Sequence, residues 1–261
     1  AAMTTLSIPL AQLQLFLIVV ARVAAIIASI PVFGGRTIPI LLKAGLVLAI
    51  SVLIFPQLSL EQNPLLKDGI SFSVGLAGEV MLGVSIGLMV QMIFAADQLA
   101  AQLAGYHMGL ALANVIDPDS SDQFPLISQF FQVFAILIFV TVNAHYWCLG
   151  AMMESFRLVP PFGFHLGNSL IEQLIRLGGD VFIIGVKVGA PVIVVLLLTS
   201  VSFGLIARTV PQMNVFIVAI PLKIAVGLLF VFFSLPYFSA YLQQLFAALG
   251  ENILKLLSVV G

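Results

Sequence analysis

Along this chain, long runs without a charged residue alternate with short polar stretches rich in proline and glycine. The charge-free runs cover residues 44–60, 80–96, 98–116, 123–153, 188–207 and 224–250. Between them stand PVFGGRTIP at 31–39, FPQLSLEQNPLLKDG at 55–69, NVIDPDSSDQFP at 114–125, RLVPPFGFHLGN at 157–168 and RTVPQMN at 208–214, each carrying turn-forming residues. The apolar runs are continuous and do not alternate with polar residues, so they predict helices and not the strands of a closed barrel. A helix needs about 20 apolar residues to cross the hydrocarbon of a bilayer, which gives room for about six spans. The fold class expected is all-α membrane protein, with one domain over residues 1–261 and no separate extramembrane domain. One stretch fits poorly. Residues 74–116 hold two apolar runs separated only by Asp97, with no turn residues, which predicts either a long helix projecting beyond the bilayer or a tight hairpin.

Composition strengthens the membrane assignment. Of the 261 residues 61% are hydrophobic and 8% charged, against roughly a quarter charged in soluble domains. The formal net charge of -1 and the scattered Lys and Arg residues supply no basic field, so nucleic acid is not an expected partner and lipid is. Cys148, the one cysteine, stands in an apolar run and cannot form an internal disulfide. The run over residues 13–33 lacks the basic lead and cleavage site of a secretory leader and contains Arg22. Arg36 with Lys43, and Arg208, mark the positive loops; simple alternation of six helices puts them on one side, together with the acidic loop at 114–125.

Charges inside a bilayer cost roughly 2.5–3.5 kcal/mol at a helix centre, so Arg22, Glu79, Lys187 and Lys223 need partners or water. Two kinds of reading are open for them: a structural one, in which Glu79 pairs with one of the basic residues or Lys187 and Lys223 reach an interface, and a functional one, in which they serve conduction. Glu79, Gly83, Gly87 and Gln91 recur every fourth residue, giving one helix face a glycine groove between polar groups. Gly105 and Gly109 repeat the spacing. Such grooves admit another helix closely, either within the chain or from a neighbouring subunit.

Enzymatic signatures are missing. The glycines at 75–87 are not followed by Gly-Lys-Ser or Gly-Lys-Thr, His107, His145 and His165 belong to no metal-binding pattern, and there is no GxSxG elbow. No catalytic residue, cofactor or metal is expected. An internal echo links IPILLKAGLVLAI at 38–50 with IPLKIAVGLLFVF at 220–232, a pattern also seen in transporters built from repeats.

Taken in order, RVAAIIASIPVFGGRTIPILLKAGL, GEVMLGVSIGLMVQ, GYHMGLALANVIDPDSSDQFP, VNAHYW, ESFRLVP and GLIARTVPQMNVFIVAIPLKIAVGL resemble the FliR family, the flagellar member of the type III secretion export-gate proteins. The resemblance runs over about residues 22–228. It departs at Asn143, Ala144 and His145, where Asn-Gly-His is the family's pattern, and at His107, Met108 and Gly109, where Gln-Met-Gly is.

The resemblance implies a single-copy subunit that assembles with FliP and FliQ, and with FlhB nearby, into a helical funnel of kinked, tilted hairpins. Unfolded flagellar proteins are exported through it. It implies a place in the bacterial inner membrane at the flagellar basal body, with much of the complex towards the periplasm. It also implies that Met108, Asn114, Val115, Ile116, Asp117, Pro118, Asp119 and Asp122 belong to a loop that plugs the closed pore. Without the resemblance the same loop reads as an ordinary solvent connection. The alternative function is a secondary transporter, for which proline-broken helices with Glu79 and Lys187 at the midplane would supply ion sites.

Overall fold

The computed structural model describes residues 10–35, 38–58, 69–110, 126–164, 167–209, 212 and 215–260. Every regular element among them is helical: α1 (Leu10–Ser29), the single turn α2 (Pro31–Gly34), α3 (Ile40–Ile54) with a 3-10 turn at Phe55–Gln57, α4 (Gly69–Met108), α5 (Leu126–Thr141), α6 (Ala144–Leu158), α7 (Asn168–Thr209), α8 (Val215–Ala247) and α9 (Leu249–Val260). Among the described residues, five segments are long and apolar enough to cross a membrane: Gln12–Ser29, Ile40–Gln57, Gly69–Met108, Asn168–Thr209 and Ile217–Ser258. The bent pair α5 and α6 makes a sixth if counted as one span.

Several boundaries follow the prolines and glycines. Pro31 opens α2, where its missing N–H costs nothing, and Pro39 caps α3. The Lys43 ammonium donates to the carbonyls of Gly34 and Gly35, both at 2.8 Å, so this lysine satisfies the end of α2 from the first turn of α3. Asp97 does not divide its stretch. α4 is continuous for 40 residues, a contour of about 60 Å against about 30 Å of hydrocarbon. Of the two expectations for residues 74–116 the long helix is the one realised, and it ends at Met108. Gly109 has φ 86 and closes it: its N–H donates to the Tyr106 carbonyl at 3.0 Å and that of Leu110 to Gly105 at 3.1 Å. The left-handed residue with these two bonds is the standard glycine stop of a helix, so Gly109 acts as a cap and not as half of a packing groove.

The charge-free run at 123–153 is not one helix. It breaks at Val142 and Asn143 with a bend of 68° between α5 and α6. Asn143 takes φ 58, a conformation that asparagine tolerates better than most side chains, and a single asparagine in an apolar run is a weak signal to read from sequence.

Packing divides the chain into two compact units, each assembled from separated segments: Ala1–Gln91, His145–Arg176 and Ala248–Gly261 in the first, Met92–Ala144 and Leu177–Ala247 in the second. In the first, α1 buries Ile18, Val19, Val23, Ile26 and Ile27, α4 buries Leu82, Ile86 and Val90, and α9 buries Leu249, Ile253, Leu256 and Leu257, the i, i+4, i+7, i+8 stripe of an amphipathic helix. In the second, Ala100, Ala104 and Met108 of α4, Phe131 of α5, Val188, Val192 and Leu196 of α7 and Val231 and Phe238 of α8 form one core. Phe94, Phe139 and Phe246 pack ring to ring there with centroids 5.3 to 5.8 Å apart.

Candidate functional site: a buried arginine–glutamate lock

Two of the charged groups predicted to matter, Arg22 and Glu79, meet inside the first unit. Arg22 of α1 and Glu79 of α4 are both fully buried and form an ion pair from the guanidinium Nε to the carboxylate Oε2. Arg22 Nη1 donates to the carbonyls of Ser155 and Val159, each at 2.9 Å, and the ring of Phe156 lies 4.2 Å from the guanidinium carbon. Those carbonyls stand at the end of α6, where the helix dipole favours a cation, and the Ser155 oxygen also accepts the Val159 N–H at 3.0 Å. The other carboxylate oxygen, Glu79 Oε1, accepts the Phe162 backbone N–H at 3.1 Å.

Local sequence explains how the loop reaches this position. Pro160 and Pro161 cannot continue α6. Phe162 then adopts φ 67 and Gly163 N–H closes a turn onto the Pro160 carbonyl at 2.8 Å, which turns the Phe162 N–H towards Glu79. The loop can lie this close because α4 presents glycines beneath it: a Cβ at Gly75 would stand 2.1 Å from the Phe162 ring, and one at Gly78 would stand 3.3 Å from that of Phe164. Arg22 thus ties α1, α4, the end of α6 and the following loop into one charge-compensated cluster. This is the pairing reading left open by the sequence.

The glycine groove continues from the lock, and α1 fills it. A Cβ at Gly83 would lie 2.7 Å from both the Ala25 Cβ and the Arg22 carbonyl; one at Gly87 would lie 2.2 Å from the Ser29 Cβ. Arg22, Ala25 and Ser29 therefore climb α1 alongside Glu79, Gly83 and Gly87 on α4, and the two helices run in the same direction. Gln91, the fourth position of that series, is exposed. A second close approach in the other unit was open to the same spacing argument and not recognised: Gly185 and Gly189 of α7, where a Cβ at Gly185 would meet the Ala96 carbonyl at 3.0 Å and one at Gly189 the Ala100 Cα at 3.5 Å.

The remaining predicted residues are separate from the lock. Lys187 is exposed on α7, and its backbone carbonyl accepts the Tyr237 hydroxyl at 3.2 Å. Lys223 lines a cavity in the second unit. Met108 is fully buried at the end of α4, where a Cβ at Gly227 would come within 2.6 Å of its side chain. Asn114, Val115, Ile116, Asp117, Pro118, Asp119 and Asp122 lie outside the described residues. Asp97, not singled out by the sequence for chemistry, is 1% exposed and neither carboxylate oxygen has a hydrogen-bond partner among the described residues.

Arg22 begins the first of the stretches that carry the family resemblance, Glu79 stands in the second, and Ser155 and Val159 stand in ESFRLVP; the fold brings these three stretches to one place. The sequence matches the family described as bacterial export proteins, family 1, over residues 13–249. It is 33% identical to the flagellar biosynthetic protein FliR of Bacillus subtilis (strain 168), covering 94% of this chain and 95% of that protein. The chain belongs to the FliR family. Among FliR proteins, that of Pectobacterium carotovorum subsp. carotovorum is 31% identical over 91% of this chain and 90% of its own length. That of Escherichia coli (strain K12) is 28% identical over 95% of each. Family membership and the apolar helices together place the chain in a bacterial membrane with a role in flagellar export. The FliR relatives are named as biosynthetic and export proteins, not as enzymes.

Proposed function

We propose that the chain is a channel-forming subunit of the flagellar type III export gate in the bacterial inner membrane, assembled with FliP-like and FliQ-like subunits and contacting an FlhB-like one. Unfolded flagellar proteins are its cargo. The observation that carries this reading is the apolar exposure of α7. Exposed apolar residues recur from Ile171 and Ile175 through Phe182, Val194, Leu198 and Val201 to Leu205 and Ile206, with the exposed charged residues Glu172, Arg176, Asp180 and Lys187 among them, over a contour of about 53 Å, well beyond the hydrocarbon thickness of about 30 Å. A bilayer cannot cover an exposed surface of that length and mixed character in full, whereas helices of other subunits can. Ile40, Leu41, Leu53, Phe232 and Phe233 add exposed apolar surface on α3 and α8. The transporter alternative loses one of its ion-site residues, because both oxygens of Glu79 are already engaged within the chain.

In this reading the acidic segment at 114–122 lies in the water of the pore and helps to close it, since its carboxylates are costly in hydrocarbon and not in water. Replacing residues 115–123 by a short Gly-Ser linker is expected to leave the purified complex assembled but to let ions leak through the closed channel. Conductance across a bilayer holding the complex measures this; an equally tight seal after the replacement contradicts the plug.

A further inference from the structure

The second unit contains a cavity of about 330 Å³ where the end of α4, the last turns of α7 and the start of α8 converge. Tyr106, His107, Ser200, Phe203, Gly204 and Lys223 line it, with no Asp or Glu among the lining residues. Lys223 is half-buried and has no acidic partner among the described residues. We propose that this cavity binds a phosphate group, that of an anionic lipid, with the Lys223 ammonium as its cation.

Three observations converge on that ligand. The donors face one way electrically: Lys223 offers three N–H groups, His107 and Tyr106 can each donate, and among the described residues no carboxylate lines the cavity to receive a metal or a basic side chain. Ser200 is not counted, because its hydroxyl already donates to the Leu196 carbonyl at 2.8 Å. The lining is also that of a headgroup site. Tyr106 and His107 stand in the last turn of α4, the lining residues of α7 lie close to its end at Thr209, and Lys223 lies near the start of α8. Tyr and Lys, with apolar stems and polar tips, are the side chains suited to the level where hydrocarbon gives way to polar headgroups. Finally, the cavity has room and an apolar wall. A Cβ at Gly204 would meet nothing within 4 Å, the volume is several times the roughly 30 Å³ of one water, and Phe203, Ala207, Ala219 and Ile220 offer a surface for glycerol and acyl carbons that a free hydrated ion would not use. The site stands on the geometry of this unit alone and is independent of the export proposal.

The test compares the full chain, extracted from bacterial membranes with whatever subunits accompany it, as wild type, Lys223→Gln, Gly204→Leu and the control Lys255→Gln, a lysine outside the cavity. Retained phosphatidylglycerol and phosphatidylethanolamine are quantified by native mass spectrometry, and bound inorganic phosphate is measured separately by equilibrium dialysis. Wild type and control should retain phosphatidylglycerol preferentially. Lys223→Gln should lower that retention about fivefold, the worth of one lysine beside an anionic membrane surface. Gly204→Leu should lower it comparably by filling the space while leaving the charge. Inorganic phosphate bound in a Lys223-dependent manner with no lipid retained would keep the anion site but assign it to a free phosphate, overturning the lipid. Equal lipid retention and equal phosphate binding in all four proteins would overturn the site.

Discussion

Replacing Glu79 with Ala is expected to cost the folded protein about 3–5 kcal/mol, the loss typical of removing one member of a buried ion pair. The size comes from what is left behind. Arg22 would remain fully buried between α1, α4 and the end of α6 with its charge uncompensated, and the Phe162 N–H would lose its acceptor. Arg22→Ala should be similarly severe, because it strands the Glu79 carboxylate and takes the guanidinium donor from the Val159 carbonyl, the Ser155 carbonyl keeping its bond from the Val159 N–H. The double variant Arg22→Met, Glu79→Leu should recover most of the loss, since two apolar side chains of similar bulk carry no charge to desolvate; the uncapped end of α6 keeps it short of wild type by about 1 kcal/mol. Thermal unfolding of the detergent-solubilised protein and its steady-state level in the membrane read these differences. Single variants as stable as wild type would mean that the lock does not hold these helices together.

Gly87→Ala is expected to be the next most damaging small change. In a helix alanine is ordinarily favoured over glycine by about 1 kcal/mol, so a loss of stability isolates the packing. The added methyl would stand 2.2 Å from the Ser29 Cβ, and α1 must move as a body to admit it. Overpacking of this kind costs about 1–3 kcal/mol, and Gly83→Leu, which meets the Arg22 carbonyl as well as Ala25, should cost more and disturb the lock next to it. Adding Ser29→Gly to Gly87→Ala should restore stability, because the obstacle lies in the same chain. If that second change restores nothing while complex formation is what fails, the groove faces another subunit. Unfolding midpoints together with the yield of assembled complex separate the two outcomes.

Helical class and the breaks around Pro31, Pro39 and Pro160 were legible, and Arg22, Glu79, Gly83 and Gly87 could be singled out, because each rests on local chemistry: charge-free runs, prolines at helix ends, and polar or glycine residues repeating every fourth position. Which charges meet was not legible. Arg22 and Glu79 are separated by 57 residues, and Lys187 and Lys223 were equally eligible partners for Glu79 until the fold selected one. Nor does spacing reveal whether a glycine is a groove or a stop: Gly83 and Gly109 look alike in sequence, and only the φ of 86 at Gly109 separates them. The bend after α5 was hidden for a related reason. Asn143 is a lone polar residue in an apolar run, and nothing in the residues beside it announces its left-handed conformation. The echo between the stretches containing Lys43 and Lys223 dissolves on the same ground: Lys43 caps α2 from a helix that starts after its proline, whereas Pro221 lies inside α8 and Lys223 faces a cavity.

The central claim is that this FliR-family chain functions only as one subunit of a larger gate, and the native mass of the particle it forms in mild detergent tests that claim most directly. Co-expressed with its FliP-like and FliQ-like partners, the chain should run as one large hetero-oligomer containing all three, and expressed alone it should aggregate or be degraded. A stable, monodisperse monomer or small homo-oligomer that binds a small solute saturably would contradict the account and favour a transporter.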